Sequence, residues 1–260
     1  MVKWRLMLTT LPIVALAVGL KILVLEHLMG FGGVLEFSDL GFVLTGGVFL
    51  VGFMLAGTMA DYKEAERLPA EVVCSLETLE ETFAQAGASR PNLDGKALQG
   101  RVRAMADGID AWLHRRQPVA TVFGLLEGLA EGARELEKAG ATPIGVRALN
   151  EIHSLRRSLT RMNVISTTGF LSTGYALLET LTVIILGLLM IASFKNALAE
   201  ALLVALITLI YVYMVRLIRD IDDPFEYEDG GAVGAAEVDL EVLHAYRRRL
   251  AARDGAAPSV

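Results

Sequence analysis

Residues 41–60 read GFVLTGGVFLVGFMLAGTMA, and the reading of the whole chain turns on them. Nothing from Leu40 to Ala60 is charged, a run of 21 residues. As a helix such a run reaches across the roughly 30 Å hydrocarbon layer of a bilayer. Thr45, Phe49 and Phe53 stand four apart and stack along one side of that helix. Gly52, Ala56 and Ala60 form a second line of small residues, roughly 100° round the axis. Small side chains let helices approach closely in a membrane, so these three are candidate packing residues. Spacing alone leaves two readings of the phenylalanine stripe. It faces lipid or the chain's own bundle, or copies of the helix gather round an axis and present an apolar constriction that gates by dewetting.

The remaining apolar residues are also gathered in runs. From Leu6 to Leu25 the only charge is Lys21, from Met162 to Phe194 it is Glu179, and Ala201 to Val215 carries none. Four transmembrane helices are expected, near residues 6–28, 38–60, 172–194 and 197–218. The last two are joined by a short turn at Phe194-Lys195-Asn196, as a membrane hairpin. The first run also has the layout of a cleaved leader: Lys3 and Arg5, an apolar core, then Ala15-Leu16-Ala17. Its apolar character continues through Ile22-Leu23-Val24-Leu25, which favours a retained helix. Lys21, Glu26 and Glu179 lie near the membrane edges, where snorkelling is the default expectation and an ion path the alternative.

Composition agrees with a membrane protein. Of 260 residues 53% are hydrophobic and 21% charged, and the mean hydropathy is +0.49. The net charge of −6 gives no basic excess for nucleic acid. The lone Cys74 excludes an internal disulfide or a cysteine metal cluster. Basic residues flank one side of the runs: Lys3 and Arg5, Lys63 and Arg67, Arg156, Arg157 and Arg161, then Arg216 and Arg219. The opposite loops hold only His27 and Lys195. By the positive-inside rule both termini and the middle segment face the cytoplasm, as in a multi-pass protein of the inner (cell) membrane.

Residues 1–60 thus hold helices 1 and 2, and residues 166–219 hold helices 3 and 4. Between them, residues 61–165 carry 14 basic and 15 acidic side chains. Apolar residues at helical spacing predict helices over 70–86, 98–113, 119–139 and 144–161, broken at Gly87–Gly95, Pro118 and Gly140–Pro143. The segment shows no strand alternation. The tail, 220–260, is acidic, with a short helix over 238–252. Helix 4 should stop near Asp223, because Pro224 disfavours helix at the residue before it. Asp220, Asp222, Asp223, Glu226, Glu228 and Asp229 then crowd into ten residues. They read as a solvated acidic stretch or as oxygen ligands for a hard cation such as calcium. A second charged cluster, Asp61-Tyr62-Lys63-Glu64-Ala65-Glu66-Arg67, follows helix 2 and suits pairing with neighbouring helices or subunits.

Enzyme signatures are missing: the chain has no P-loop, GxGxxG, GxSxG or HExxH. His27, His114, His153 and His244 fall in four separate segments, where solvated or hydrogen-bonded roles are expected over metal ligation. Trp4 reads as an interfacial anchor and Trp112 as a packing residue. The expectation is a protein that is not an enzyme.

Together these stretches resemble the bestrophin family and its bacterial relatives. The order of elements is similar: two helices, a long helical cytoplasmic segment, two more helices and a returning tail. Phe49-Leu-Val-Gly52-Phe53 resembles the family's pore-neck helix, and Tyr62…Glu66-Arg67-Leu68-Pro69 the charged segment after it. Leu217-Ile218…Ile221-Asp-Asp-Pro224-Phe225 and Val238-Asp239-Leu240-Glu241 resemble the end of the last helix and the Asp-Leu segment downstream. Thr45 departs from the aliphatic residue usual at the neck's first position. The resemblance implies an all-α polytopic fold and an ion channel, a homopentamer with copies of helix 2 around its axis. It implies a neck at Thr45, Phe49 and Phe53 and a vestibule from residues 61–165. Glu226, Glu228 and Asp229 would be the acids of a calcium clasp. The partners implied are membrane lipid, small inorganic ions and further copies of the chain, with no nucleic acid. Anion-selective members, chloride channels among them, and cation-selective members both occur, so selectivity stays open. The alternative is a non-conducting membrane scaffold or sensor that binds a cytoplasmic partner.

Overall fold

A computed structural model describes residues 4–23, 34–168, 172–227 and 236–253. The chain divides into two compact units, residues 1–62 with 169–223, and residues 63–168 with 224–260. The fold is all-α, and four of its helices are long and apolar enough to cross a membrane.

In the first unit α1 spans Arg5–Gly19, α2 Gly41–Ala65, α7 Ser172–Ile191 and α8 Ala197–Asp222. Beyond α1 the backbone stays wound, in a wider π-type turn, as far as Leu23. The expected extension to residue 28 lies outside the described residues. The α7–α8 connection is tight, as the sequence suggested, and Asn196 starts α8 by accepting the Leu198 N–H on its side chain at 2.8 Å. The sequence did not suggest the small parallel pairing of β1 (Leu35–Glu36) with β2 (Ala192–Ser193). Two residues a side is too short to leave any alternation to read. At the other end α8 stops at Asp222, and Asp223 before Pro224 is no longer helical, as required of a residue preceding proline.

The second unit holds α3 (Leu68–Ser89), α4 (Gly95–Leu113), α5 (Val119–Lys138), α6 (Thr142–Thr167) and α9 (Glu241–Arg253). Its core gathers the apolar faces of these helices, with Leu76, Phe83, Val102, Ile109, Leu126, Leu136 and Leu155 fully buried. The expected break around Gly87–Gly95 is a close backbone crossing. A Cβ on Gly87 would come within 2.7 Å of the Gly95 Cα, so both glycines are needed for α3 and α4 to meet there. α6 runs six residues past its expected end at Arg161, to Thr167.

Candidate functional site

Helix α2 divides into two sides. Gly47, Val51, Met54 and Thr58 recur at helical spacing and are buried. Val51 and Met54 pack with Leu178 and Ile185 of α7 and with Tyr211 and Ile218 of α8. Gly47 is the closest point of this seam. Any Cβ there would collide with the Tyr211 hydroxyl and come within 2.6 Å of Ile185 Cδ1. Room at Gly47 lets the Tyr211 hydroxyl donate to the Leu44 carbonyl at 2.8 Å.

The opposite side of α2 is open. Phe49 is 76% exposed and Phe53 66%, and Thr45, Gly46, Gly52, Ala56 and Ala60 are exposed with them. A Cβ added at Gly46 or Gly52 would meet nothing within 4 Å. The Thr45 hydroxyl turns back to donate to the Gly41 carbonyl at 2.8 Å. The phenylalanine stripe and the small-residue line are therefore two parts of one surface that the described residues leave uncovered. The residue that does close-pack within the chain, Gly47, was passed over in the sequence because only its neighbours show the need for it.

The charged cluster at the end of α2 is pinned by α6. Arg161 donates through Nε and Nη2 to both oxygens of Glu64, at 2.7 and 2.5 Å. These bonds hold the Glu64 carboxyl below the ordinary carboxylate range. The two tail motifs singled out in the sequence lie side by side. Val238 N–H donates to the Pro224 carbonyl at 2.9 Å, and the Tyr227 hydroxyl to the Val238 carbonyl at 2.8 Å. Phe225, Tyr227, Val238 and Leu240 are buried around this clasp. Of the three candidate calcium ligands, Glu226 is exposed and pairs with Arg115 at 3.3 Å. Glu228 and Asp229 lie outside the described residues.

One sequence expectation is corrected. Lys21 does not snorkel: its side chain is 2% exposed, as Glu200 is at 3%, and the two pair at 3.2 Å. Its ammonium also donates to the Met190 and Ala192 carbonyls at 2.9 and 2.6 Å. The carbonyls that end a helix have no partner within it, and a cation there also meets the negative end of the helix dipole. Glu179, by contrast, is half exposed and pairs with Arg219. Two of the histidines hold the hydrogen-bonded roles expected of them: His114 Nδ1 faces the Asp110 carbonyl oxygen at 2.9 Å and His244 Nε2 faces Asp110 Oδ1 at 3.0 Å. His114 and His244 are brought together around Asp110, with their rings 6.0 Å apart.

No protein-family profile and no curated protein sequence matches the chain. Solved structures do. A bacterial bestrophin homologue from Klebsiella pneumoniae is similar over 97% of this chain and 100% of its own, with a TM-score of 0.78 at 15% identity. Its W252A variant gives 0.79, over 96% and 98%, also at 15% identity. A membrane protein carrying P143A gives 0.79, over 95% and 99%, at 15% identity. The chain has the bestrophin fold. Within that fold this chain has the open side of α2 and the paired tail motifs. They coincide with the stretches in which the resemblance was legible.

Proposed function

We propose that this protein is a bestrophin-like ion channel that conducts monovalent ions through a central pore between copies of the chain. Residues 1–60 and 166–219 supply its membrane part, with helix 2 (residues 38–60) lining the pore. Residues 61–165 and the tail, 220–260, form the cytoplasmic part, and the termini are cytoplasmic in the inner membrane. The observation that carries the reading is the open, apolar side of α2, where Phe49 and Phe53 stand exposed. An aromatic stripe of this size in an assembled protein faces either lipid or an axis. The line of Gly52, Ala56 and Ala60 beside it gives copies of α2 a place to pack. Thr45, Phe49 and Phe53 then form the neck, where apolar rings make a dewetting barrier.

The calcium clasp at Glu226, Glu228 and Asp229 belongs to this proposal as the resemblance implies it. Calcium takes about six to eight oxygen ligands. Of the clasp's acids, Glu226 pairs with Arg115 at 3.3 Å, and Glu228 and Asp229 lie outside the described residues. The test is ion flux through purified protein in liposomes. Replacing Phe49 and Phe53 together by alanine should raise basal conductance. Unaltered conductance in that double variant would refute the neck, and no flux under any gradient would favour the scaffold reading.

A further inference from the structure

The last turn of α4 carries Asp110, and His114, four residues on, caps the helix on the same side. His244 and Arg247 of α9, three residues apart, face them. The Asp110 carboxyl is 4% exposed, and its two oxygens are used differently. Oδ2 accepts from Arg116 at 2.7 Å and from Arg247 at 2.8 Å. Oδ1 faces His244 Nε2 at 3.0 Å and His114 Nδ1 at 3.5 Å. The Tyr227 ring lies beside His114, with centroids 5.4 Å apart. One ligand atom from each of Asp110, His114 and His244 lies within 4.8 Å of those of the other two.

We propose that Asp110, His114 and His244 form a binding site for zinc, or for a similar imidazole-seeking divalent metal, that fastens α9 to α4. Zinc binds nitrogen and carboxylate oxygen at about 2.0–2.2 Å in a tetrahedron, which sets ligand atoms roughly 3.3 Å apart. The distances from Oδ1 to the two ring nitrogens, 3.0 and 3.5 Å, bracket that spacing. Arg116 and Arg247 fix the carboxylate by Oδ2 and leave Oδ1 pointing at the imidazoles, the supporting part that outer partners play in zinc sites. Donor chemistry selects the metal. Two imidazoles and one carboxylate oxygen suit zinc, nickel or copper, whereas calcium needs an oxygen cage.

Binding exchanges existing bonds for metal bonds. His114 Nδ1 gives up its 2.9 Å contact with the Asp110 carbonyl oxygen, and His244 Nε2 its contact with Oδ1. The ring protons then sit on His114 Nε2 and His244 Nδ1, and water completes the tetrahedron. Asp110 and His244 are 134 residues apart in the chain. The metal therefore closes a long loop and stabilises the docked α9 against its release.

The experiment uses the full chain in detergent, without a polyhistidine tag, stripped with a chelator and equilibrated with zinc chloride alone. Expected are about one zinc per chain by elemental analysis, a raised Tm, and at least about a tenfold loss of affinity in His114→Gln and in His244→Gln. Replacing His153, which is exposed on α6, by glutamine should leave binding unchanged. Cobalt(II) should give tetrahedral visible bands with the native protein and not with His244→Gln. The metal-free Tm of each variant shows that it is folded. Zinc well below one per chain, or zinc binding unaltered in both histidine variants, would overturn the site.

Discussion

At the scale of single residues, the most consequential charge is the one that sequence position misplaces. Lys21 is a buried cation that satisfies the end of α7 and neutralises Glu200. Removing one member of such a pair strands the other in a medium that cannot solvate it, at a cost of about 3–5 kcal/mol. Lys21→Met should therefore lower the unfolding free energy in detergent by that amount, and Glu200→Gln should also destabilise. The double variant Lys21→Met with Glu200→Gln should recover a large part of the loss, because no uncompensated charge remains. Losses that simply add would show that the two side chains act independently. Sequence could not reveal this pair. Its members stand in the turn that follows α1 and on α8, and local periodicity carries no record of which distant elements meet.

At the scale of elements, two helices show how a seam is made specific. On α9, Leu243, Tyr246 and Leu250 share the buried face, and Tyr246 donates to Glu80 of α3 at 3.2 Å. Arg249 and Arg253 pair with Glu77 and Glu80, each at 2.5 Å. Burial and the neighbouring Glu80 carboxylate push the Tyr246 phenol well above its ordinary range. The folded protein thus keeps the proton that an unfolded chain releases near pH 10. This contribution is whole below that pH and is lost as pH rises above it. Tyr246→Phe should cost about 1–2 kcal/mol at neutral pH and flatten the alkaline fall in stability, as followed by circular dichroism across a pH series. On α2 the prediction concerns Gly47. Gly47→Ala drives a methyl into Tyr211 and Ile185 and should destabilise by about 1–3 kcal/mol, despite alanine's better helix propensity. An unchanged Tm would mean that α8 yields freely at that point. The four spans and most helix ends were legible because apolar runs, glycines and Pro224 are local signals. The partners of Gly47, the Asp110 cluster and the β1–β2 pairing were not, since each depends on residues remote in sequence.

At the scale of the whole molecule, the two sides of α2 separate the chain's own folding from the assembly proposed for it. Gly47 is crowded by the chain itself, while a Cβ at Gly52 meets nothing within 4 Å. For an isolated chain, Gly52→Ala should be neutral or gain up to about 1 kcal/mol of helix stability, and even leucine at that position has space. The outcome differs if copies of α2 pack through Gly52, Ala56 and Ala60. A large side chain would then hold the helices apart. Gly52→Leu should convert the assembled protein to smaller species in light scattering, with helicity by circular dichroism unchanged. Weakened assembly would place Phe49 and Phe53, on the same open surface, toward the axis between copies, as the proposed neck requires. If Gly52→Leu retains the native mass, the small-residue line faces lipid. The phenylalanine stripe beside it would then lose its packing rationale as a pore lining, whatever the flux measurements show for Phe49 and Phe53.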